Sequence, residues 1–561
     1  MKYFLLFYSQ NWTNSFKESF FKSNNIQMAR NILTLKSKEA LSFFMKSEQY
    51  HGFELPEYFD FDEVLKHVET TIGNRSYEDC LASIRPDDLP NANLDILLNK
   101  DGKYAVRPLV LANPFLYYFL AREICCKPGW DKILRCFKAY TVPNITSCAI
   151  PVIPEKKEPF HKSTTVFNWW NTMEQRSVEL SMDYRYMFIT DITNCYGSIN
   201  PQSIKWAMAC KGTTHENDDN LELAKNIQKY LRALQHGHNI GIPQGSALFD
   251  FVGEIVLGYS DLLLHEALQK EGIEGYEVIR YRDDYRIFCN DRDTLERISY
   301  ILQGVLELLN FRMNSQKTKV SESIVTDSIK ADKLGYIYNT PIFNKKGCDF
   351  DSFQKHLLYI LMFSREYPNS GQLKTMLSDI DKRIKEWLEE PYEEEITTLS
   401  LDDDEPVKTK KITKRKLLVG GTVLSMTAVA TQIALENVSV SHYALRVISR
   451  MIDSLKDMKE KQSIISKVYN KLCKQPNSDY NQLWLQNMTY TQDKKNGNSP
   501  YTLSLCKLVT GKAIESLWNN DWLRADIVGE LPYDSIINKE TLKKVTPVIT
   551  FRETRIYNET F

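Results

Sequence analysis

Eleven cysteines are scattered through the 561 residues without one CxxC pair and without a Cys/His spacing that suits zinc. That excludes a zinc ribbon and a disulfide framework, and it reads as buried thiols in a reducing, cytoplasmic setting. Charge of one sign is also lacking, the net charge being −1. No global basicity therefore advertises nucleic acid, and any contact with it has to come from a local positive groove. Long hydrophobic runs are scarce. The apolar run in "MKYFLLFYSQNW" at the start is too short for a secretory core. The stretch "LLVGGTVLSMTAVATQIAL" (417–435) is largely apolar, but Gly420, Gly421, a Gln and several hydroxyl residues interrupt it. It is expected as a buried helix, with no membrane among the partners. No repeat at a fixed period emerges, which excludes a solenoid.

What is present is a globular chain, 43% hydrophobic and long enough for several domains. Residues 1–100 read mainly helical, with apolar spacing of three to four residues in "SKEALSFFMKSEQY" and "FDEVLKHVETTI". From 101 to 345 the pattern is mixed, with the β-rich runs "YRYMFIT", "YEVIRY" and "YRIFC" between helical ones. An acidic stretch at 386–405 runs directly into a basic one at 408–416, a juxtaposition expected as an exposed charged linker or mobile insertion. Residues 346–561 are expected as an α-helical domain, in which Leu445, Ile448, Ile452 and Leu455 share one face.

The chemistry gathers at "GYEVIRYRDDYRIFCN" (275–290), where Asp283 and Asp284 sit side by side between two strand-like runs. Two adjacent carboxylates are either the polar tip of a hairpin or half of a divalent-cation site, since hard cations take oxygen ligands and relieve the repulsion. A third carboxylate decides between them. Upstream, the run "YRYMFITDITNCYGSI" ends at Asp191, where a central strand would deliver it to a sheet edge. A strand ending at Asp191 beside the hairpin would gather three carboxylates into the oxygen cage of a two-metal phosphoryl-transfer site. Between them, "HNIGIPQGSALFDFVGEIVL" breaks regular structure at Gly241, Pro243 and Gly245 and offers the amide of Gln244. By itself it is an ordinary turn into a helix.

The order "FITDITNCYGSI", "GIPQGS", "YRDD", "LLNFRMNSQKTK" and "KLGYI" resembles the successive palm motifs of the reverse transcriptases, across roughly residues 100–340. The resemblance implies an α+β fold, a right-hand fingers–palm core followed by an all-α C-terminal domain. It implies a DNA nucleotidyltransferase using two Mg2+ ions, with Mn2+ as a substitute. Asp191, Asp283 and Asp284 would be the metal ligands. Tyr196 would be the ring that excludes a 2′-hydroxyl, against the alternative of core packing. Gln244 would sit against the incoming nucleotide. Lys317 would act near the leaving pyrophosphate, a surface lysine being its alternative. Leu334, Gly335 and Tyr336 match the family's primer-grip turn. In "KYAVRPLVL", Arg107 matches a triphosphate-binding arginine and Lys103 is a weaker companion. Cys195 departs from the pattern, standing where many relatives have an aromatic, and no ribonuclease H, endonuclease or integrase segment follows the palm.

The block "ELPEYFDFDEVL" (54–65) and the long helical C-terminal region further resemble the bacterial abortive-infection, defence-associated reverse transcriptases. In that group the implied job is DNA synthesis against phage, either RNA-directed or template-independent. The implied partners are deoxynucleotides, an RNA or DNA template-primer (a noncoding RNA among them) and further copies of the chain. Some relatives prime from a protein tyrosine, for which Tyr533 and Tyr557 are candidates. A different class of reading, a non-catalytic nucleic-acid-binding or assembly protein on a polymerase fold, is disfavoured because the three carboxylates, the Gln and the gate residue are all present.

Overall fold

A computed structural model describes residues 30–99, 106–153, 169–343, 353–398, 408–415, 418, 420–512, 514, 516–529 and 531–554. Two strands, β1 (Leu94–Asn99) and β2 (Val106–Leu111), pair antiparallel as a ribbon beside the N-terminal helices, which include α1 (Ser37–Phe44) and α2 (Asp62–Ile72). Helix α3 (Pro114–Cys125) follows at once. The Asn113 side chain accepts from the Phe115 and Leu116 amides, and Pro114 occupies the first helical position, where its missing N–H costs nothing.

The centre is a five-stranded sheet built from β3 (Ile145–Ser147), β4 (Tyr186–Asp191), β5 (Tyr276–Tyr281), β6 (Asp284–Cys289) and β7 (Lys319–Ser321). Its order is β3-β5-β6-β4-β7, with β3 parallel to β5 and the other pairs antiparallel. The three strands expected from the sequence are thus β4, β5 and β6. Their alternation sorts the two faces. Phe188, Tyr285, Ile287, Cys289, Tyr276 and Val278 enter the main core, while Met187, Ile279 and Phe288 join a smaller cluster with Cys148, Met173, Leu180 and Ile324.

Behind the main-core face lies α4 (Ala247–Lys270), capped by Ser246 accepting from the Phe249 amide and buried nearly all round. A helix with no solvated face should be apolar throughout, yet this one buries Glu254 and Asp261. Arg280 of β5, itself fully buried, resolves the conflict. Its Nε donates to Asp261 Oδ1 at 2.9 Å, its Nη1 to Glu254 Oε1 at 3.1 Å and its Nη2 to Asp261 Oδ2 at 2.8 Å.

The C-terminal region is helical, as expected, and the 417–435 stretch lies largely in helix α5 (Gly420–Glu436), with Val423, Met426, Ala430 and Ile433 buried. Among the described residues no single helix is long and apolar enough to cross a membrane. Within the charged stretch expected as an exposed linker or mobile insertion, a helix ends at Glu389 and residues 391–398 and 408–415 pair antiparallel, the acidic strand in register with the basic one. The last described segment packs on the N-terminal half. The Trp518 indole donates to the Leu111 carbonyl at 3.0 Å, Ala82 N to Trp522 O at 2.8 Å, and Asp60 N to Ile536 O at 2.8 Å. Residues from both ends of the chain therefore share one continuous core.

Candidate active site

Chain-distant acids meet because of strand register. Asp191, the last residue of β4, is the Cα partner of Asp284, the first residue of β6. Directly paired residues present their side chains on the same face. The Ile192 amide donates to the Asp283 carbonyl at 3.0 Å, so the strand end is sewn to the hairpin as well. The hairpin has a two-residue loop, with Tyr281 paired to Asp284 and Arg282 and Asp283 at its tip. Arg282 takes φ 54, a conformation natural to glycine and costly for a residue with a Cβ.

The electrostatics are those of crowded negative charge. Asp191 is 6% exposed, and its Oδ1 is buried with no hydrogen-bond partner. Its Oδ2 accepts from Lys317 Nζ. Burial pushes Asp283 above the usual carboxylate range; its own backbone amide opposes this, and Asp191 adds to it. Asp284 lies at the exposed rim, yet desolvation of its carboxylate and then the charge of Asp283 push it up to about 6. The Lys317 ammonium is shifted upward by its hydrogen bond to Asp191.

These residues fit a hard divalent cation: all donors are oxygens, one is buried and unpartnered, and burial and mutual repulsion still hold Asp283 and Asp284 above the usual carboxylate range although Lys317, Arg282 and Lys330 oppose it. Among the described residues, however, no three His, Cys, Asp or Glu side chains are already arranged as a closed cation cage. Lys317, expected near the leaving pyrophosphate, pairs here with the first of the acids, Asp191.

Tyr196 lies just past Asp191 in a short helix, Cys195–Ser198. Its carbonyl accepts from the Ile242 amide at 2.9 Å, and its hydroxyl donates to Asp250 Oδ1 at 2.9 Å. Asp250 in turn accepts from Arg282 Nη2 at 2.6 Å through its other oxygen. The GIPQGS loop is pinned on both sides: Val110 N donates to the Gln244 carbonyl at 2.9 Å, and Gly52 N donates to the Gly245 carbonyl. Gly245 has φ 119, and a Cβ there would come within 3.3 Å of the Val110 carbonyl, so this position requires glycine. The contact brings β2, which carries the exposed Arg107, against the Gln244 loop.

Other expected residues fall elsewhere. Leu334, Gly335 and Tyr336 form no turn; they lie within the helix Ala331–Phe343. Gly335 serves packing instead, since a Cβ there would meet the Tyr367 ring at 2.8–2.9 Å. Tyr533 is stacked on Trp518 at 6.0 Å with its hydroxyl 2.7 Å from Ser516 Oγ, and burial pushes its pKa up. Lys103 and Tyr557 lie outside the described residues.

Sequence reading missed Asp250, Glu254, Asp261, Arg280 and Arg282. The signal was available: three acids in an otherwise apolar helical run, and arginines at alternate positions in "VIRYRDD".

With this geometry in hand, residues 130–346 match the family described as "Reverse transcriptase (RNA-dependent DNA polymerase)". No curated protein matches the chain. Among solved structures, apo telomerase from Candida tropicalis is similar with a TM-score of 0.31 at 14% identity, over 73% of each chain. Telomerase from Candida albicans with a TWJ fragment of telomeric RNA gives 0.28 at 12% identity, over 67% of this chain and 66% of that one.

Proposed function

We propose that the protein is an RNA-directed DNA polymerase; what supports this is the match of residues 130–346 to the reverse transcriptase family, and from it follows how the site would work and what it would serve. The observation that carries the mechanism is the register of Asp191 against Asp284, with Asp283 on the adjoining turn. Asp191, Asp283 and Asp284 would hold two Mg2+ ions, or Mn2+ in their place. When bound, such ions supply charge neutralisation for the attacking and leaving oxygens of nucleotidyl transfer.

The chain's own groups do the rest. The Tyr196 ring would meet the nucleotide sugar, exclude a ribose 2′-hydroxyl and so favour deoxynucleotides. Gln244, its loop pinned to β2, would sit against the incoming nucleotide. Arg107, exposed on the same ribbon, offers a planar donor fork to a triphosphate, and Lys103 is its proposed companion. Lys317, on a side chain two-thirds exposed, can swing from Asp191 to a developing negative charge. The test is primer extension on an RNA template with deoxynucleotides and Mg2+. Wild type incorporates, and Asp283→Asn with Asp284→Asn does not. A wild-type protein that binds the template-primer but never extends it would favour the non-catalytic assembly reading.

The biological role we propose is bacterial antiviral defence, with cytoplasmic DNA synthesis that is RNA-directed or template-independent, the template being a noncoding RNA in the first case. Its support is the 54–65 block and the long helical C-terminal region. Phage plating on cells carrying wild type against the double variant tests it, with protection lost only in the variant. Sequencing the cellular product distinguishes a copied template from untemplated synthesis. Priming from Tyr533 or Tyr557 would leave the product covalently joined to protein, and single Phe substitutions would release it.

A further inference from the structure

We propose that Asp250 is a positioning residue that ties the sugar-discriminating ring of Tyr196 to the catalytic turn, so that nucleotide selectivity depends on an ion pair outside the acidic triad. The inference rests on the reading of Tyr196 as the ring that meets the nucleotide sugar.

Asp250 lies in the first turn of α4, where the helix dipole favours a carboxylate. Its two oxygens are committed in different directions. Oδ1 accepts the Tyr196 hydroxyl at 2.9 Å and Oδ2 accepts Arg282 Nη2 at 2.6 Å. Arg282 is the residue immediately before Asp283 and occupies the left-handed position of the hairpin. A strained non-glycine residue persists only where its surroundings hold it. Its surroundings do so here: the ion pair to Asp250, the Tyr281 ring 5.7 Å from the guanidinium, and Arg280 Nη1, which donates to the Arg282 carbonyl at 3.2 Å.

The other end of the chain of contacts concerns ring orientation. A phenylalanine at 196 could fill the same volume, but its ring would be held by packing alone. On α4 the ring faces Gly253, where an added Cβ would already be in contact with Tyr196 Cε1 at 3.4 Å. The hydroxyl bond to Asp250 adds a directional tie that apolar contact alone does not give. It does so from the same carboxylate that fixes the turn carrying Asp283 and Asp284. Hydrogen bonds to charged groups are the stronger ones, which suits a clamp of this kind.

The test compares kcat/KM for a deoxynucleotide with that for the matching ribonucleotide in the full-length protein, for wild type, Tyr196→Phe, Asp250→Asn, Asp250→Ala and the Asp250→Ala/Tyr196→Phe double variant. Taking the ratio cancels losses common to both sugars, and the milder Asn variant keeps the comparison available if Ala impairs folding. The relay predicts that Tyr196→Phe and Asp250→Ala each lower the ratio by about tenfold, the scale of one hydrogen bond to a charged group. It also predicts that the double variant is no worse than Asp250→Ala, because both changes break the same link. A wild-type ratio in both Asp250 variants overturns the relay, as do effects that multiply in the double variant. Tyr196→Ala serves as the separate check on the gate. If it lowers the ratio while the Asp250 variants do not, the relay fails and the gate stands. If Tyr196→Ala leaves the ratio at the wild-type value, the gate reading fails and takes the relay with it.

Discussion

Lys317 Nζ donates to Asp191 Oδ2, placing an ammonium against the acid whose other oxygen is buried without a partner. The lysine acts as the resident counter-charge of a site built from three carboxylates. Its side chain is two-thirds exposed, so the pair is screened and modest in energy. Lys317→Ala should lower the unfolding free energy of chelator-treated protein by about 1 kcal/mol, by leaving Asp191 buried and unpaired. Saturating Mg2+ should remove most of that deficit. Thermal melts with and without Mg2+ check both statements.

The acids themselves carry the sharpest prediction. Asp283→Asn together with Asp284→Asn should reduce nucleotide incorporation by at least about a hundred- to a thousandfold, the scale of losing preorganised electrostatic stabilisation. The same double variant should melt no lower than wild type without metal, since burial and mutual repulsion already push both carboxyls up. Single-turnover incorporation and a parallel melt separate the two effects. Wild-type incorporation in this variant would undo the metal-site assignment.

Much of this site was legible in the sequence because it depends on local order. An apolar run ending at Asp191, a Gly/Pro-broken loop at 241–245 and a two-carboxylate turn each follow from a few neighbouring residues. The strands β4, β5 and β6 were legible for the same reason, their period of two being written in β-branched and aromatic residues. What stayed hidden was relational. Nothing local marks Asp250 as bridging Tyr196 and Arg282, or Trp518 as reaching Leu111. The primer-grip reading rests on the resemblance of "KLGYI" to a family motif, and nothing local announces that Gly335 lies inside a helix packed against Tyr367. The acidic and basic runs near 391–415 read as an exposed linker or mobile insertion because opposite charges adjoin there, and only their pairing in register makes them a ribbon.

Asp284 gives a pH dependence with a definite sign. Its folded-state pKa of about 6 lies above the ordinary carboxyl value of 3.8, so the folded protein holds this proton more tightly. The stability it contributes is complete below about pH 3.8 and is lost as pH rises through about 6. Metal-free wild type should therefore lose stability relative to Asp284→Asn between about pH 4 and about pH 7. Mg2+ binding should strengthen over the same window, because the cation has to displace the proton. Melts of both proteins across that range, with and without Mg2+, read the two slopes.

Arg280 tests how the hairpin is anchored. Fully buried, it satisfies two carboxylates of α4 that pair with no other cation among the described residues. Arg280→Met would keep much of the volume and strand Glu254 and Asp261 as uncompensated buried charges, at a cost of about 3–5 kcal/mol. Urea unfolding should show that loss. Replacing all three groups with apolar residues of similar size should recover most of it, because the desolvation penalty disappears with the charges.

Trp518 tests whether the C-terminal segment is structurally separable from the fingers. Its ring is 1% exposed, stacks on Tyr533 at 6.0 Å and meets Phe61 edge-on at 6.4 Å. Its indole N–H satisfies the Leu111 carbonyl, the last residue of the ribbon that abuts the Gln244 loop. Trp518→Ala should cost about 3–5 kcal/mol through the cavity it opens. The Leu111 carbonyl would also lose its donor. Because that ribbon carries Arg107, the variant should raise KM for the deoxynucleotide more than it lowers kcat at a temperature where the protein remains folded. An unfolding curve establishes that temperature, and steady-state incorporation at it gives the split. A variant that melts like wild type and keeps its KM would mean that the segment adheres to the fingers without bracing them.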